Sequence, residues 1–208
     1  ALFLGSPNCG QSHETTTSQV AADILDIAPE HISISTPFDS DISPWGTAAA
    51  NSGNNFHLYD IGAVHGAASR LKDKILKLAG HVLKADAKRL VIEDGTVRVL
   101  ASPKKKVTFA ELGKIAYSNQ SRMPKGFEPG LQTTFYYAFP HAQPNMVPGR
   151  DRLVRAQFTF SAAAHAAIVE VDVKTGKVDV LRYLIIGDNG TIIHPSVVNG
   201  QIYGSAAH

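Results

Sequence analysis

The residue types best suited to chemistry cluster near the start of the chain, in the segment CGQSHETTTSQVAADILDI (residues 9–27). Its His-Glu pair invites comparison with the zinc motif in which a second histidine follows one helical turn later. Thr17 occupies that place here, so the motif is broken. His57 and His65 lie eight residues apart without a carboxylate partner in register. The sequence therefore favours exposed or hydrogen-bonded histidines over a metal held by protein ligands.

Nucleophilic catalysis is a second alternative, and it depends on Cys9. This thiol lies in a glycine-flanked turn, where a cysteine can be reactive. The sequence does not place a histidine or aspartate beside it, and it holds no Gly-x-Ser-x-Gly elbow. A single cysteine also excludes an internal disulfide and a cysteine-rich metal site. A lone cysteine in a turn is more often inert.

Phosphate or dinucleotide binding has more support, because three turns rich in small residues precede or interrupt predicted helices. They span residues 5–14, 46–55 and 187–197. A helix start presents free backbone N–H groups to an anion, and small side chains let a ligand approach the backbone. In the second turn, Asn51 and Ser52 add side-chain donors. Each turn alone is a weak signal, but together they favour a cofactor site.

Composition narrows the function classes. The chain has 208 residues, of which 44% are hydrophobic, and a formal net charge of +2. This charge is too small to argue for nucleic acid, and we predict that Lys104–Lys106 lie in a solvated hairpin loop. No stretch is apolar for the roughly 20 residues that a membrane span needs. The single cysteine fits a reducing compartment, so we expect a cytoplasmic protein. Both ends look cut, as in a fragment.

The elements that must position these turns follow from hydrophobic periodicity. The pattern predicts a strand at 1–5, a helix at 14–27 with Ser12 as its N-cap, and a strand at 31–35. A loop at 36–54 and a long helix at 56–83 follow. Later elements are a hairpin around Asp94-Gly95, a helix opened by Thr108 and Glu111, a hairpin at 174–177 and a helix opened by Pro195. This mixed order favours an α+β fold with β-hairpins and mixed sheets packed against helices.

The order of the motifs resembles the molybdenum hydroxylase family. That family includes xanthine dehydrogenase, aldehyde oxidoreductase and the large subunit of aerobic carbon monoxide dehydrogenase. CGQSHETT (9–16) resembles the family's Gly-Gln-Gly-His-Glu-Thr-Thr segment, and PWGTAAANSG (44–53) resembles its loop of small residues. The stretch 166–208 resembles the hairpin, Asp-x-Gly, Asn-Pro and Gly-Gln-x-x-Gly-Gly series that follows. The resemblance runs from residue 1 to residue 208.

The resemblance implies a molybdopterin-binding domain of the aldehyde oxidase/xanthine dehydrogenase type. It divides the chain into a first molybdopterin-binding lobe (1–118), an extended connector (119–155) and the truncated start of a second lobe (156–208). In the family, the metal is held by the pterin dithiolene, so no residue here is expected to ligate it. The active-site glutamate lies in a segment outside these residues, so no catalytic residue is assigned and the isolated chain is expected to be inactive.

The resemblance also implies a set of cofactor-binding residues, with Gln11 beside the molybdenum. They are Gly10, Gln11, Ser12, Ala49, Ala50, Asn51, Ser52, Gln201 and His208. Several of these positions depart from the family pattern. Ser12 replaces a glycine, Ala50-Asn51 replace a Ser-Arg pair, His194 replaces the Asn before Pro, and His208 replaces Gln or Glu. We expect His13-Glu14 to open the helix behind the site, with local partners.

By the same resemblance, the cofactor is molybdopterin with molybdenum, in the cytosine dinucleotide form common in bacteria. The implied reaction hydroxylates an aldehyde, a purine, an N-heterocycle or carbon monoxide with oxygen from water. Electrons then leave to FAD and iron–sulfur clusters on partner domains or subunits. The expected partners are these, the rest of the large subunit and a small-molecule substrate, in an oligomer. Two alternatives stay open: a cofactor- or subunit-binding module without catalysis, and a purely structural lobe.

Overall fold

The computed structural model describes residues 1–5, 8, 10–35, 56–138 and 159–207. The chain forms two compact units, Ala1–Gln143 and Pro144–His208. Helices and small sheets alternate in both, which confirms the α+β prediction. The three-part division into lobe, connector and second lobe stays a prediction.

The first unit opens with a short parallel strand pair, β1 (Leu2–Phe3) and β2 (Ile34–Ser35). Helix α1 (His13–Leu25) makes the crossover that parallel strands require. Both strands are shorter than predicted. The helix also ends two residues early, because Asp26 adopts a left-handed backbone (φ 49°) and donates its N–H to the Ala22 carbonyl.

Helix α2 (Ile61–Leu83) is the longest element and confirms the predicted helix at 56–83, although its first turn, Phe56–Asp60, is a π-helix. Its buried side chains belong to two separate core clusters. Val64 and Ala68 pack with Leu4 and Ala21 of the α1 side. The second half of α2 packs on the sheet and on the third helix through Ile75, Leu78, Ala79 and Leu83.

A three-stranded antiparallel sheet follows, in the order β3 (Leu90–Glu93), β4 (Thr96–Val99) and β5 (Ser102–Thr108). The predicted turn at Asp94-Gly95 is confirmed, and both residues have positive φ, as a tight hairpin turn requires. The prediction for Lys104–Lys106 is wrong. These lysines lie within β5, an edge strand, where exposed charge discourages pairing with another chain.

Helix α3 (Phe109–Ser118) confirms the predicted capping box. The Glu111 N–H donates to the Thr108 hydroxyl (3.2 Å), and the Glu111 carboxylate accepts from the Thr108 N–H (2.8 Å). Both bonds satisfy N–H groups that a helix start leaves without partners. Leu112 and Ile115 of α3 are buried in the same cluster as the second half of α2.

Residues 127–138, here called the strap, lie along α2, with bends at 129–131 and neither helix nor strand at 132–138. Leu131, Thr133, Phe135 and Tyr137 are half-buried, and the residues between them are exposed. A Cβ built on Gly62 would lie 2.5 Å from the Tyr137 ring, and one on Gly66 would lie 2.5 Å from the Phe135 ring. Two helical glycines one turn apart therefore make room for two aromatic rings two residues apart.

Polar contacts fix the strap on the same helix. The Thr133 hydroxyl donates to the Ala67 carbonyl (2.9 Å), and the Arg70 guanidinium donates to the Thr134 carbonyl (3.2 Å). The same guanidinium lies 4.5 Å from the centroid of the Phe135 ring. Near the start of the strap, Lys74 pairs with Glu128 at 2.9 Å. Later strap residues thus meet earlier α2 residues, so the two run antiparallel.

The second unit contains a long antiparallel hairpin, β6 (Ala162–Val171) and β7 (Val178–Asp188), and helix α4 (Pro195–Ala207). Both confirm the predicted hairpin and helix. The Asp172 carboxylate accepts the N–H groups of Lys174 and Thr175 in the connecting turn, and these bonds lower the pKa of Asp172. In the described part of the chain, no helix is long and apolar enough to cross a membrane.

Replacing Gly66 with alanine tests the strap. A methyl group placed 2.5 Å from the Phe135 ring must displace it, so we expect the free energy of unfolding to fall by about 1–3 kcal/mol. Gly113→Ala on α3 is the matched control, because its added Cβ meets nothing within 4 Å. It should raise the free energy of unfolding by about 0.5–1 kcal/mol. Denaturant titration measures both, and equal effects would exclude close packing at Gly66.

Candidate functional site

The candidate site is the turn that leads into α1. The structure brings Gly10, Gln11 and Ser12 together there. Gly10 has φ 102°, a value that L side chains rarely adopt, and its N–H donates to the Asn8 carboxamide oxygen at 2.8 Å. A Cβ at Gly10 would meet no atom of the described residues within 4 Å, so the backbone conformation is the observed reason for glycine here.

Ser12 has a left-handed backbone at the position where the resemblance implies a glycine. Its φ of 57° and ψ of 46° are left-handed, a conformation that costs a residue with a Cβ about 1–2 kcal/mol. Ser12 lies at the predicted N-cap position, but its side chain makes no capping hydrogen bond, so the predicted capping role is wrong. The first N–H groups of α1 therefore have no side-chain cap from Ser12.

The residues that follow are used internally. The Thr16 hydroxyl donates to the Ser12 carbonyl at 2.9 Å, and the Thr17 hydroxyl donates to the His13 carbonyl at 2.6 Å. The Glu14 carboxylate accepts from the Asn8 side-chain amide. The expectation of local partners holds for Glu14, and the threonine hydroxyls fasten the first helical turn.

The His13 ring is the exception, because its aromatic contact is distant in sequence. It stacks on Phe56, with 3.5 Å between ring centroids and an interplanar angle of 4°. The side chain is 0% exposed, and among the residues that the structure describes neither ring nitrogen has a hydrogen-bond partner. Burial lowers the pKa of His13 and outweighs the opposite effect of Glu14, which favours the neutral form of the ring. Sequence reasoning missed this contact, since no local pattern links residues 43 apart.

Electrostatics make this turn a place for a polar, anionic ligand. The N-terminus of a helix carries a partial positive charge, and its free N–H groups point outwards. The neutral His13 ring offers one N–H donor and one acceptor nitrogen. Within the described ranges, no three His, Cys, Asp or Glu side chains form a cluster able to hold a metal ion.

The other predicted site residues are placed as follows. Gln201 lies on α4, in the second unit, and is exposed. His194, which replaces the family's asparagine, accepts the Val197 N–H on Nδ1 at 3.3 Å and so caps α4 in its place. Outside the described residues lie Cys9, Ala49, Ala50, Asn51, Ser52 and His208. The side chain of His57 is likewise not described.

Comparison with known proteins identifies the domain type. Residues 1–208 match the family described as "Molybdopterin cofactor-binding domain". The nicotine 6-hydroxylase large subunit of Paenarthrobacter nicotinovorans is 34% identical over 204 residues, covering 98% of this chain and 22% of the relative. The carbon monoxide dehydrogenase large chain of Afipia carboxidovorans is 30% identical over 201 residues, covering 97% of this chain and 22% of the relative.

Solved structures agree with this match. Quinoline 2-oxidoreductase from Pseudomonas putida 86 superposes with a TM-score of 0.74 at 32% identity, covering 95% of this chain and 22% of that one. The Cu,Mo-CO dehydrogenase in its carbon monoxide reduced state gives a TM-score of 0.77 at 29% identity, with coverage of 96% and 22%. The chain therefore spans about a fifth of the length of these relatives.

Replacing Ser12 with glycine tests the left-handed turn. Glycine adopts this conformation without strain, so we expect the free energy of unfolding to rise by about 0.5–1 kcal/mol. Ser18→Gly, in the middle of α1, is the matched control and should lower it by about 0.5 kcal/mol. Denaturant titration of both variants gives the comparison, and a loss of stability in Ser12→Gly would contradict the assigned conformation.

Buried His13 should make stability depend on pH. Its pKa is lowered from the ordinary 6.5, so the unfolded chain binds a proton that the folded chain does not. The free energy of unfolding should therefore fall as the pH drops below about 6.5, by at most about 1.4 kcal/mol per pH unit, until the folded pKa is reached. His13→Phe should remove this dependence. His65→Phe, at an exposed position of α2, should leave it as in the wild type.

Proposed function

Because the chain belongs to the molybdopterin cofactor-binding domain family of the molybdenum hydroxylases, we propose that it holds the molybdopterin of a molybdenum-dependent oxidoreductase. When bound, the cofactor would supply the hydroxylation of a substrate with oxygen taken from water. The proposed substrates are an aldehyde, a purine, an N-heterocycle or carbon monoxide. The 208 residues span about a fifth of their relatives, so we propose that they have no turnover by themselves.

The described residues fit such a cofactor. The buried His13 ring carries two nitrogens that have no partner within the described ranges, the kind of polar group that a bound ligand satisfies. The turn before it holds Gly10 and Ser12 with positive φ and leads to helix N–H groups that Ser12 does not cap. The match of residues 1–208 to the molybdopterin cofactor-binding family, together with this uncapped helix start, is what carries the proposal.

We propose cofactor contacts for residues in both the N-terminal and the C-terminal parts of the chain. Gly10 and Ser12 offer backbone groups, and Gln11, which is half-buried, hydrogen-bonds the cofactor beside the molybdenum. Ala49–Ser52 line the pterin or its phosphate, and Gln201 and His208 belong to the last contacting segment. The lobes at 1–118 and 156–208, joined by the connector at 119–155, carry these groups. The pterin is proposed to be the cytosine dinucleotide form.

The proposed assembly completes the reaction. Electrons from the cofactor pass to iron–sulfur and flavin subunits or domains, and the remainder of the large subunit supplies the substrate pocket. The names of the relatives describe a large subunit and a large chain, which agrees with a multi-subunit enzyme. We propose an oligomer located in the cytoplasm.

Gln11→Ala tests the proposed function in the full-length subunit assembled with its partners. Loss of one side-chain hydrogen bond, worth about 0.5–1.5 kcal/mol, should weaken cofactor retention by up to roughly tenfold. The measurements are molybdenum per protein by elemental analysis and turnover with the four substrate classes. Gln132→Ala, at an exposed strap position, is the control and should leave both unchanged. Wild-type protein without molybdenum would refute the proposal, and molybdenum without turnover would favour the cofactor-binding module.

A further inference from the structure

The His13 side chain places two polar ring nitrogens in a buried position, and its packing gives no reason for them. It is fully buried, and neither of its ring nitrogens has a hydrogen-bond partner in the described part of the chain. A buried polar group left in this state destabilises the fold. Native proteins keep few such groups, and each calls for an explanation in function or in a missing partner.

The stack on Phe56 does not supply that explanation. A phenylalanine at residue 13 would stack on the same ring, at the same 3.5 Å, without burying any polar atom. Stability alone would therefore favour phenylalanine over histidine at this position. What the stack does provide is a fixed ring position, because Phe56 belongs to the π-helical turn before α2.

One residue of the stack adjoins the described turn that we propose to hold the cofactor. His13 directly follows Gly10, Gln11 and Ser12. The ring also lies in the first turn of a 13-residue helix, where Ser12 gives no side-chain cap. Two independent observations, the uncapped helix start and the unpartnered buried ring, thus meet at one place.

The neighbouring charge defines what the ring can do. Glu14 is the adjacent carboxylate, and it accepts from the Asn8 amide. The His13 ring itself makes no hydrogen bond to Glu14 or to any other side chain of residues 1–5, 8, 10–35, 56–138 and 159–207. A neutral imidazole contributes one N–H donor and one acceptor, so its partner would be a polar atom and not an ion that requires a positive charge.

We propose that His13 is a cofactor-binding residue, whose imidazole is fixed by the stack on Phe56 and forms a hydrogen bond with an acceptor atom of the bound molybdopterin. This inference rests on the proposed function and adds to it a contact from a residue outside the Gly10–Ser12 turn. The ring nitrogens then find their partner when the cofactor is in place.

His13→Phe separates the two properties of the ring, because it keeps the stack and removes the nitrogens. In the full-length enzyme with its partner subunits, we expect molybdenum per folded protein to fall about five- to tenfold. The thermal midpoint of the cofactor-free enzyme should stay equal or rise, since two unsatisfied atoms are gone. His13→Gln restores an amide donor and should recover part of the molybdenum. His65→Phe, the same change at an exposed site, should match the wild type in both measurements.

The outcomes are distinct. Wild-type molybdenum content in His13→Phe would overturn the proposed contact and leave the ring a packing element, while the proposed function would stand. A lower thermal midpoint of the cofactor-free His13→Phe protein, with normal molybdenum per folded molecule, would overturn it as well. Absence of molybdenum from the wild-type enzyme would overturn the proposed function and this contact together.

Discussion

The fold of the first unit depends on the burial of α2 by elements of different kinds: helices, a sheet and an irregular segment. Over 23 residues the helix meets α1 near its start, the sheet and α3 near its end, and the strap along its length. Burial of its apolar side chains supplies the driving force, about 25 cal/mol for each Å² removed from water. Two core clusters, rather than one, share this helix, so α2 links the α1 side of the unit to the sheet.

The candidate site lies at the start of α1, which packs against α2. Its turn offers backbone groups and an imidazole in place of a charged pocket, and the threonine hydroxyls behind it are fully used in the first turn of α1. A rigid scaffold that presents backbone N–H groups orients an anionic ligand without the entropic cost of ordering long side chains. The left-handed backbone of Ser12 is strained, and this strain occurs where the chain changes direction to enter α1.

Local features could be read from the sequence, and distant ones could not. Asp94-Gly95, the Thr108–Glu111 capping box and the helix opened by Pro195 depend on neighbours within four residues, so pattern alone predicts them. The resemblance also predicted the domain type. The lysines of β5 were misplaced because charge indicates exposure, which an edge strand and a loop share. The His13–Phe56 stack and the ring contacts at Gly62 and Gly66 join residues 43 or more apart in sequence. Hydrophobic periodicity does not predict such contacts.

The strap also constrains how chain length can change. Two residues of extended chain advance by about 6.6 Å, while four residues of helix advance by about 6.0 Å. The spacing of Phe135 and Tyr137 along the strap therefore matches the spacing of Gly66 and Gly62 along α2. Removing or adding one residue in the strap before Phe135 would turn both rings outwards, whereas a change of two would preserve their side. Insertions and deletions in this segment should therefore comprise an even number of residues, which the strap lengths of related proteins can test.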